Sequence, residues 1–122
     1  MGDIRNNDGT GHLTHYPDNK YIQDEIDPKI TFCEPGVIGM ANKGEPNTNG
    51  SQFFITLDEL PDLNNKYTII GHTIKGFEML KQLAILCGKE EENFMTKCNV
   101  KISNSGIYEY NEYMKDKTLK LI

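Results

Sequence analysis

The chain has 122 residues and a formal net charge of −5, which suits one domain of the usual ~100 to 200 residues and leaves no room for a second independent core. Hydrophobic residues make up 37% and charged residues 25%, a globular mix that excludes a disordered polyelectrolyte. The pI near 5.1 and the scattered lysines offer no basic stripe to a phosphate backbone, which argues against nucleic acid as a partner.

From Gly2 to Asp27 the sequence is polar and punctuated by Asn7-Asp8-Gly9, Gly11 and Tyr16-Pro17-Asp18-Asn19, so it reads as an ordered surface loop. Pro35-Gly36 then introduces Val37-Ile38-Gly39-Met40-Ala41, an apolar run too short for a helix and opened by a turn signal, which predicts a buried strand. A connector rich in Gly, Asn and Pro runs from Asn42 to Gly50. Ser51 to Thr56 is the next predicted strand, and its alternation puts Gln52 and Phe54 on one face and Phe53 and Ile55 on the other. After a polar loop over 57–66, Tyr67 to Ile74 is rich in β-branched residues and predicts a third strand. Phe77 to Leu86 carries apolar residues at i, i+3, i+4 and i+7 spacing, the mark of a helix with a wide buried face, and Gly88 stops it. Glu90-Glu91-Glu92 reads as a solvated loop. Cys98, Val100 and Ile102 alternate with polar residues to predict a last strand. Beyond Gly106, Glu109 and Glu112 precede Lys115, Lys117 and Lys120, the charge order of a short helix. Tyr108, Tyr110 and Tyr113 on it suit an interface as well as they suit packing on the domain.

Cys33, Cys87 and Cys98 are odd in number and widely spaced, without a C-x-x-C pair, so reduced thiols and no zinc site are expected. His12 and His15 lie in a polar loop with no third ligand and read as a solvated pair; His72 reads as a strand surface residue. No run approaches ~18 apolar residues, and the first eight hold no apolar leader. The expectation is an intracellular, cytoplasmic protein off the membrane, with nuclear or axonemal settings also compatible. Asn49-Gly50-Ser51 fits a glycosylation pattern, yet in that setting it reads as turn chemistry.

The block from Pro35 to Gly44, followed by Pro46-Asn47-Thr48-Asn49-Gly50-Ser51-Gln52-Phe53-Phe54-Ile55-Thr56, closely resembles the signature of the cyclophilins. Gly2-Asp3, Gly9-Thr10-Gly11 and Asp24-Glu25 before it, and Leu63 to Gly71 after it, extend the resemblance to about Gly106. The resemblance implies a mainly β fold, a closed antiparallel β-barrel of which residues 1–106 supply the later strands and one packed helix, with 107–122 as a C-terminal tail. It implies peptidyl-prolyl cis-trans isomerase chemistry on X-Pro bonds of proteins, whose tertiary amide turns over a barrier of ~20 kcal/mol, and it requires no metal or organic cofactor.

Carried over by position, Phe54 resembles the aromatic floor of the proline pocket, and Gln52 the polar group beside the substrate carbonyl. Asn42, flanked by Ala41 and Lys43, resembles the residue whose backbone pairs with the peptide. Leu63 resembles the apolar wall, and Tyr67 stands where the family usually has histidine. Gly9, Thr48, Asn49 and Gly50 resemble the rim of the neighbouring pocket.

The sequence also departs from the family. The family's catalytic arginine, with its companion aromatic and glutamine, precedes the Gly-Asp motif, and Arg5 follows that motif, so no catalytic residue is assigned in this chain. Asp62 stands where many members have a tryptophan that contacts cyclosporin, so weak cyclosporin binding at most is expected. Glu45 lengthens the connector by one residue. Two functions are compatible with this pattern. One is a prolyl isomerase represented by its later part; the other is a non-catalytic module that binds proline-containing segments within a large assembly, as divergent cyclophilins of spliceosomes and axonemes do. Half a barrel leaves an open strand edge and an uncovered apolar face, so the expectation is a longer product, another chain that completes the barrel, or a marginal monomer.

Overall fold

A computed structural model describes residues 2, 3, 5, 6, 8–88, 98 and 100–107. It is mainly β, and its first compact unit runs from Met1 to Phe77. The centre of that unit is an antiparallel sheet of β1 (Val37–Met40), β2 (Phe53–Ile55) and β3 (Ile69–His72), in the order β2-β1-β3. Register pairs Ile38 with Ile55, Gly39 with Phe54 and Met40 with Phe53, while β3 pairs Ile38 with Gly71 and Gly39 with Ile69, slipping by a bulge between Ile38 and Gly39.

The turn at Pro35-Gly36 starts β1 as expected. Gly36 holds φ at 89°, a region that costs side chains with a Cβ, and its N–H donates to the Thr56 carbonyl at 2.8 Å. Thr56 is buried, and its hydroxyl oxygen accepts the Val37 N–H at 3.0 Å, so the hydroxyl completes the ladder at its end. The strands are shorter than the sequence predicts, but ladder bonds continue past them: Ala41 N–H to the Gln52 carbonyl at 2.9 Å, and Met40 N–H to the Thr68 carbonyl at 2.9 Å.

Among the described residues up to position 27 the chain is loop, apart from a 3-10 turn at Pro17–Asn19 and an isolated antiparallel bridge between Ile22 and Asn49. The core of this unit is small. Phe32 is fully buried and Val37 nearly so, whereas Ile38, Met40, Phe53 and Ile55, which share the opposite face of β1 and β2, are only half-buried. Ile70 and Ile30 are exposed at 56% and 54%, so apolar surface remains uncovered among the described residues.

α1 spans Phe77–Cys87, and all of it after Phe77 falls in the second unit. The helix lies where its periodicity predicts, but the expected wide buried face is not formed: Cys87 is buried while Met79, Ile85 and Leu86 are exposed. Periodicity fixes which residues share a face; it does not supply a surface to cover them. Among the described residues of 98–103, where a strand is expected, no strand forms. Val100 N–H closes instead onto the Cys98 carbonyl at 3.0 Å, a local turn bond, and alternation alone does not provide a neighbouring strand. Nor are all three thiols reduced as expected. Cys87 and Cys98 form a disulfide with Cα atoms 5.0 Å apart, inside the span a disulfide bridges, and Cys33 is the free, exposed cysteine. The tail expected beyond Gly106, with Tyr108, Tyr110 and Tyr113, and the cluster Glu90-Glu91-Glu92 lie outside the described residues, apart from Ile107.

Candidate functional site

Because cross-strand partners share a face, the register Gly39–Phe54, continued by the Ala41–Gln52 bond, puts Ala41, Gln52 and Phe54 on one side of the sheet. The Phe54 ring crosses over Gly39, where an added Cβ would lie 2.6 Å from its Cζ. It stacks on the buried Phe32 ring at 5.7 Å between centroids and meets the Tyr67 ring edge-on at 5.5 Å, both favoured aromatic geometries. Phe32 is in turn fixed by its backbone, whose N–H donates to the Asn64 side-chain oxygen at 2.7 Å and whose carbonyl accepts the Leu60 N–H at 2.8 Å. The half-buried Leu63 sits between these anchors in the 3-10 turn Pro61–Leu63.

Asn42 holds the start of the connector. Its amide donates to the Lys66 carbonyl at 3.2 Å, and its side-chain oxygen accepts the Gly44 N–H at 3.0 Å. The loop with the additional Glu45 closes through Thr48, whose hydroxyl donates to the Glu45 carbonyl at 2.6 Å and accepts the Lys43 N–H at 3.0 Å. The Lys43 ammonium lies 5.0 Å from the Tyr21 ring centroid, and Tyr21 stacks on His12 at 4.5 Å. Gly50 leaves room for His12, whose Cβ would be 2.6 Å from an added methyl. The His15 ring lies tilted against Tyr16 at 4.2 Å, so each histidine of the pair rests on its own tyrosine.

Asn49 lies beneath this surface, fully buried. Its amide donates to Asp24 Oδ1 at 2.7 Å and to the Ile22 carbonyl at 3.2 Å, while Asp24 Oδ2 accepts the Asn47 N–H at 2.8 Å. Gln52 donates through Nε2 to the carbonyls of Gly9 at 3.0 Å and Gly11 at 2.6 Å. The same loop wraps Asp3, whose carboxylate accepts backbone N–H groups from Arg5, Asn6, Asp8, Gly9 and Gly11 between 2.9 and 3.2 Å. The Asn6 N–H, with those of Gly11, Arg5 and Asp8, holds the Asp3 carboxyl well below the usual carboxylate range, against a smaller opposing effect of burial.

The sheet thus brings together Phe54, Tyr67 and the unanticipated Phe32, with Ala41 and Gln52 on the same face. Phe32 escaped sequence reasoning because one aromatic between Thr31 and Cys33 carries no periodic signal, and the contacts of Asp3 and Asp24 escaped it because loop path, not side-chain spacing, brings backbone N–H groups to Asp3 and the Asn49 amide with the Asn47 N–H to Asp24. A groove of about 680 Å³ lies elsewhere, between the 29–34 segment and β3, and is lined by Ile30, Val37, Ile69, Ile70 and His72 among others. A smaller cavity of about 30 Å³ lies behind Tyr67 and Phe32.

The family model for cyclophilin type peptidyl-prolyl cis-trans isomerases matches residues 1–107. A peptidyl-prolyl cis-trans isomerase of Arabidopsis thaliana is 44% identical over 75 residues, covering 62% of this chain and 45% of that protein. The rhodopsin-specific isozyme of Calliphora vicina is 46% identical over 77 residues, 63% of this chain and 31% of that protein. A solved cyclophilin type isomerase of Cryptosporidium parvum superposes with TM-score 0.64 at 43% identity, covering 70% of this chain and 52% of that one; its structure in the presence of the dipeptide Ala-Pro gives 0.63. The chain spans about half the length of the curated relatives it matches.

Proposed function

The chain belongs to the cyclophilin family, and from that premise we propose that it binds proline-containing segments on the sheet face carrying Ala41, Gln52 and Phe54, as part of a protein that isomerises X-Pro bonds. The observation that carries the binding reading is the seat of the Phe54 ring. Backed by Phe32 and walled by Tyr67, it is a rigid apolar platform of the kind a prolyl ring stacks on, with the polar Gln52 two residues away on the same face. A relative crystallised with Ala-Pro supports the same ligand class.

Catalysis asks for more than a platform. As the amide twists, resonance breaks and the prolyl nitrogen becomes basic, so a donor aimed at it lowers the ~20 kcal/mol barrier. The one arginine of the sequence, Arg5, is exposed in the loop around Asp3, to which its own backbone N–H is bound. We assign it no part in the step. The 122-residue chain is accordingly a proline-peptide binder with weak isomerase activity, and the placement of Arg5 equally favours the second reading, a non-catalytic binding subunit of a larger assembly.

Calorimetric titration with an Ala-Pro-containing peptide, run beside a protease-coupled isomerisation assay, tests both parts. Saturable binding with little acceleration is expected. Acceleration equal to that of a complete cyclophilin would overturn the weak-activity reading, and no binding would overturn the proline-peptide reading.

A further inference from the structure

We infer that Gln52 meets the bound peptide as a hydrogen-bond acceptor only, taking a backbone N–H, and that Asp3 is the positioning residue that enforces this polarity. The inference deepens the proline-peptide reading and rests on it.

The argument begins with the two hydrogens of the Gln52 amide. Nε2 lies 3.0 Å from the Gly9 carbonyl and 2.6 Å from the Gly11 carbonyl, and one amide nitrogen has two hydrogens to give. Both are committed. The reversed amide would set Oε1 against two carbonyl oxygens, so the orientation is fixed by the chemistry of its neighbours. The side-chain polar atom left for a ligand is Oε1, which accepts and cannot donate. A contact from Gln52 to a substrate carbonyl, which family resemblance suggests, would need a hydrogen this amide has already spent.

Asp3 holds the other side of the same two glycines. Oδ2 accepts the N–H of Gly9 at 2.9 Å and of Gly11 at 3.0 Å, so each glycine is held through its N–H by Asp3 and through its carbonyl by Gln52. The loop is also tied at its ends to the residue beside Gln52: the Ser51 hydroxyl donates to the Gly2 carbonyl at 2.7 Å and accepts the Leu13 N–H at 3.2 Å. For Gln52 to turn its amide over without setting Oε1 against them, the Gly9 and Gly11 carbonyls must move away, and Asp3 holds those two residues in place.

The test uses the full chain and a prolyl peptide in which each backbone N–H flanking the proline is replaced in turn by an ester oxygen, with Kd measured by calorimetry. At one position the ester is expected to weaken binding about five- to tenfold, the size of one neutral hydrogen bond. In Gln52→Leu that ester penalty falls to near unity. In Asp3→Ala it also falls, because the freed amide can present either end, while binding of the all-amide peptide changes less; a residue that only stabilised the fold would weaken both peptides alike and leave their ratio intact. If no ester weakens binding, or if the penalty survives in Gln52→Leu, the acceptor assignment is wrong. A ratio unchanged in Asp3→Ala removes Asp3 from the role. Failure of the all-amide peptide to bind the parent chain overturns the proline-peptide reading and this inference with it.

Discussion

Placing a methyl group at position 39 tests the platform from beneath. Gly39 pairs with Phe54 across β1 and β2, and a Cβ there would lie 2.6 Å from Phe54 Cζ and 3.0 to 3.1 Å from Phe32 Cζ and Cε1. The first distance is a clash, so a ring must move. Phe32 is fully buried and its backbone is bound to Asn64 and Leu60, which leaves the displacement to Phe54, itself held between Phe32 and Tyr67. Gly39→Ala is expected to cost about 1–3 kcal/mol, the usual range for overpacking a filled site, and to weaken prolyl-peptide binding along with it. Urea unfolding gives the stability term, and an unchanged m-value shows that the folded state is still the reference. Gly39→Ala combined with Phe54→Leu should recover part of the loss, with a coupling above about 0.5 kcal/mol. A Gly39→Ala chain as stable as the parent, or a double variant whose losses simply add, would refute the crossing of Phe54 over Gly39.

Other outcomes follow from the same contacts. Asp3 has a depressed carboxyl, so its contribution to stability is complete above the unfolded carboxylate value of about 3.9 and is lost as pH falls through the lower folded value; amide exchange of residues 5–11 should rise in that window, and Asp3→Ala should remove the pH dependence. Asn49→Ala leaves Asp24 Oδ1 and the Ile22 carbonyl without their donor, and a loss of about 1–3 kcal/mol is expected in thermal unfolding. Thiol titration of the native, unreduced chain should find Cys33 alone reactive, and three thiols after reduction; three before reduction would contradict the Cys87–Cys98 pairing.

What the sequence made legible is what local pattern can encode. Pro35-Gly36 with the apolar run after it marked β1, and the two-residue period of Gln52 and Phe54 placed both on one face before any partner strand was known. Helix spacing marked α1 to within a residue of its end. Contacts made by backbone groups stayed hidden: five N–H donors converging on Asp3 depend on loop path, which no spacing of side chains prescribes. Phe32 was hidden for a related reason, since a single buried aromatic has no periodicity and its value comes from Phe54, 22 positions further along. The alternation over Cys98–Ser103 misled because it describes faces and is silent on whether a second strand lies alongside. The cysteine count misled likewise, because pairing follows the 5.0 Å approach of Cys87 and Cys98 rather than their number.

The central claim is that a prolyl ring docks on Phe54, and amide-resolved NMR titration of the isotope-labelled chain with an Ala-Pro-containing peptide tests it most directly. Saturable shifts should centre on Ala41, Asn42, Gln52, Phe54 and Tyr67 and vanish in Phe54→Ala. Shifts confined to the groove of Ile30, Ile69 and Ile70, with Gln52 and Phe54 unmoved, would contradict it.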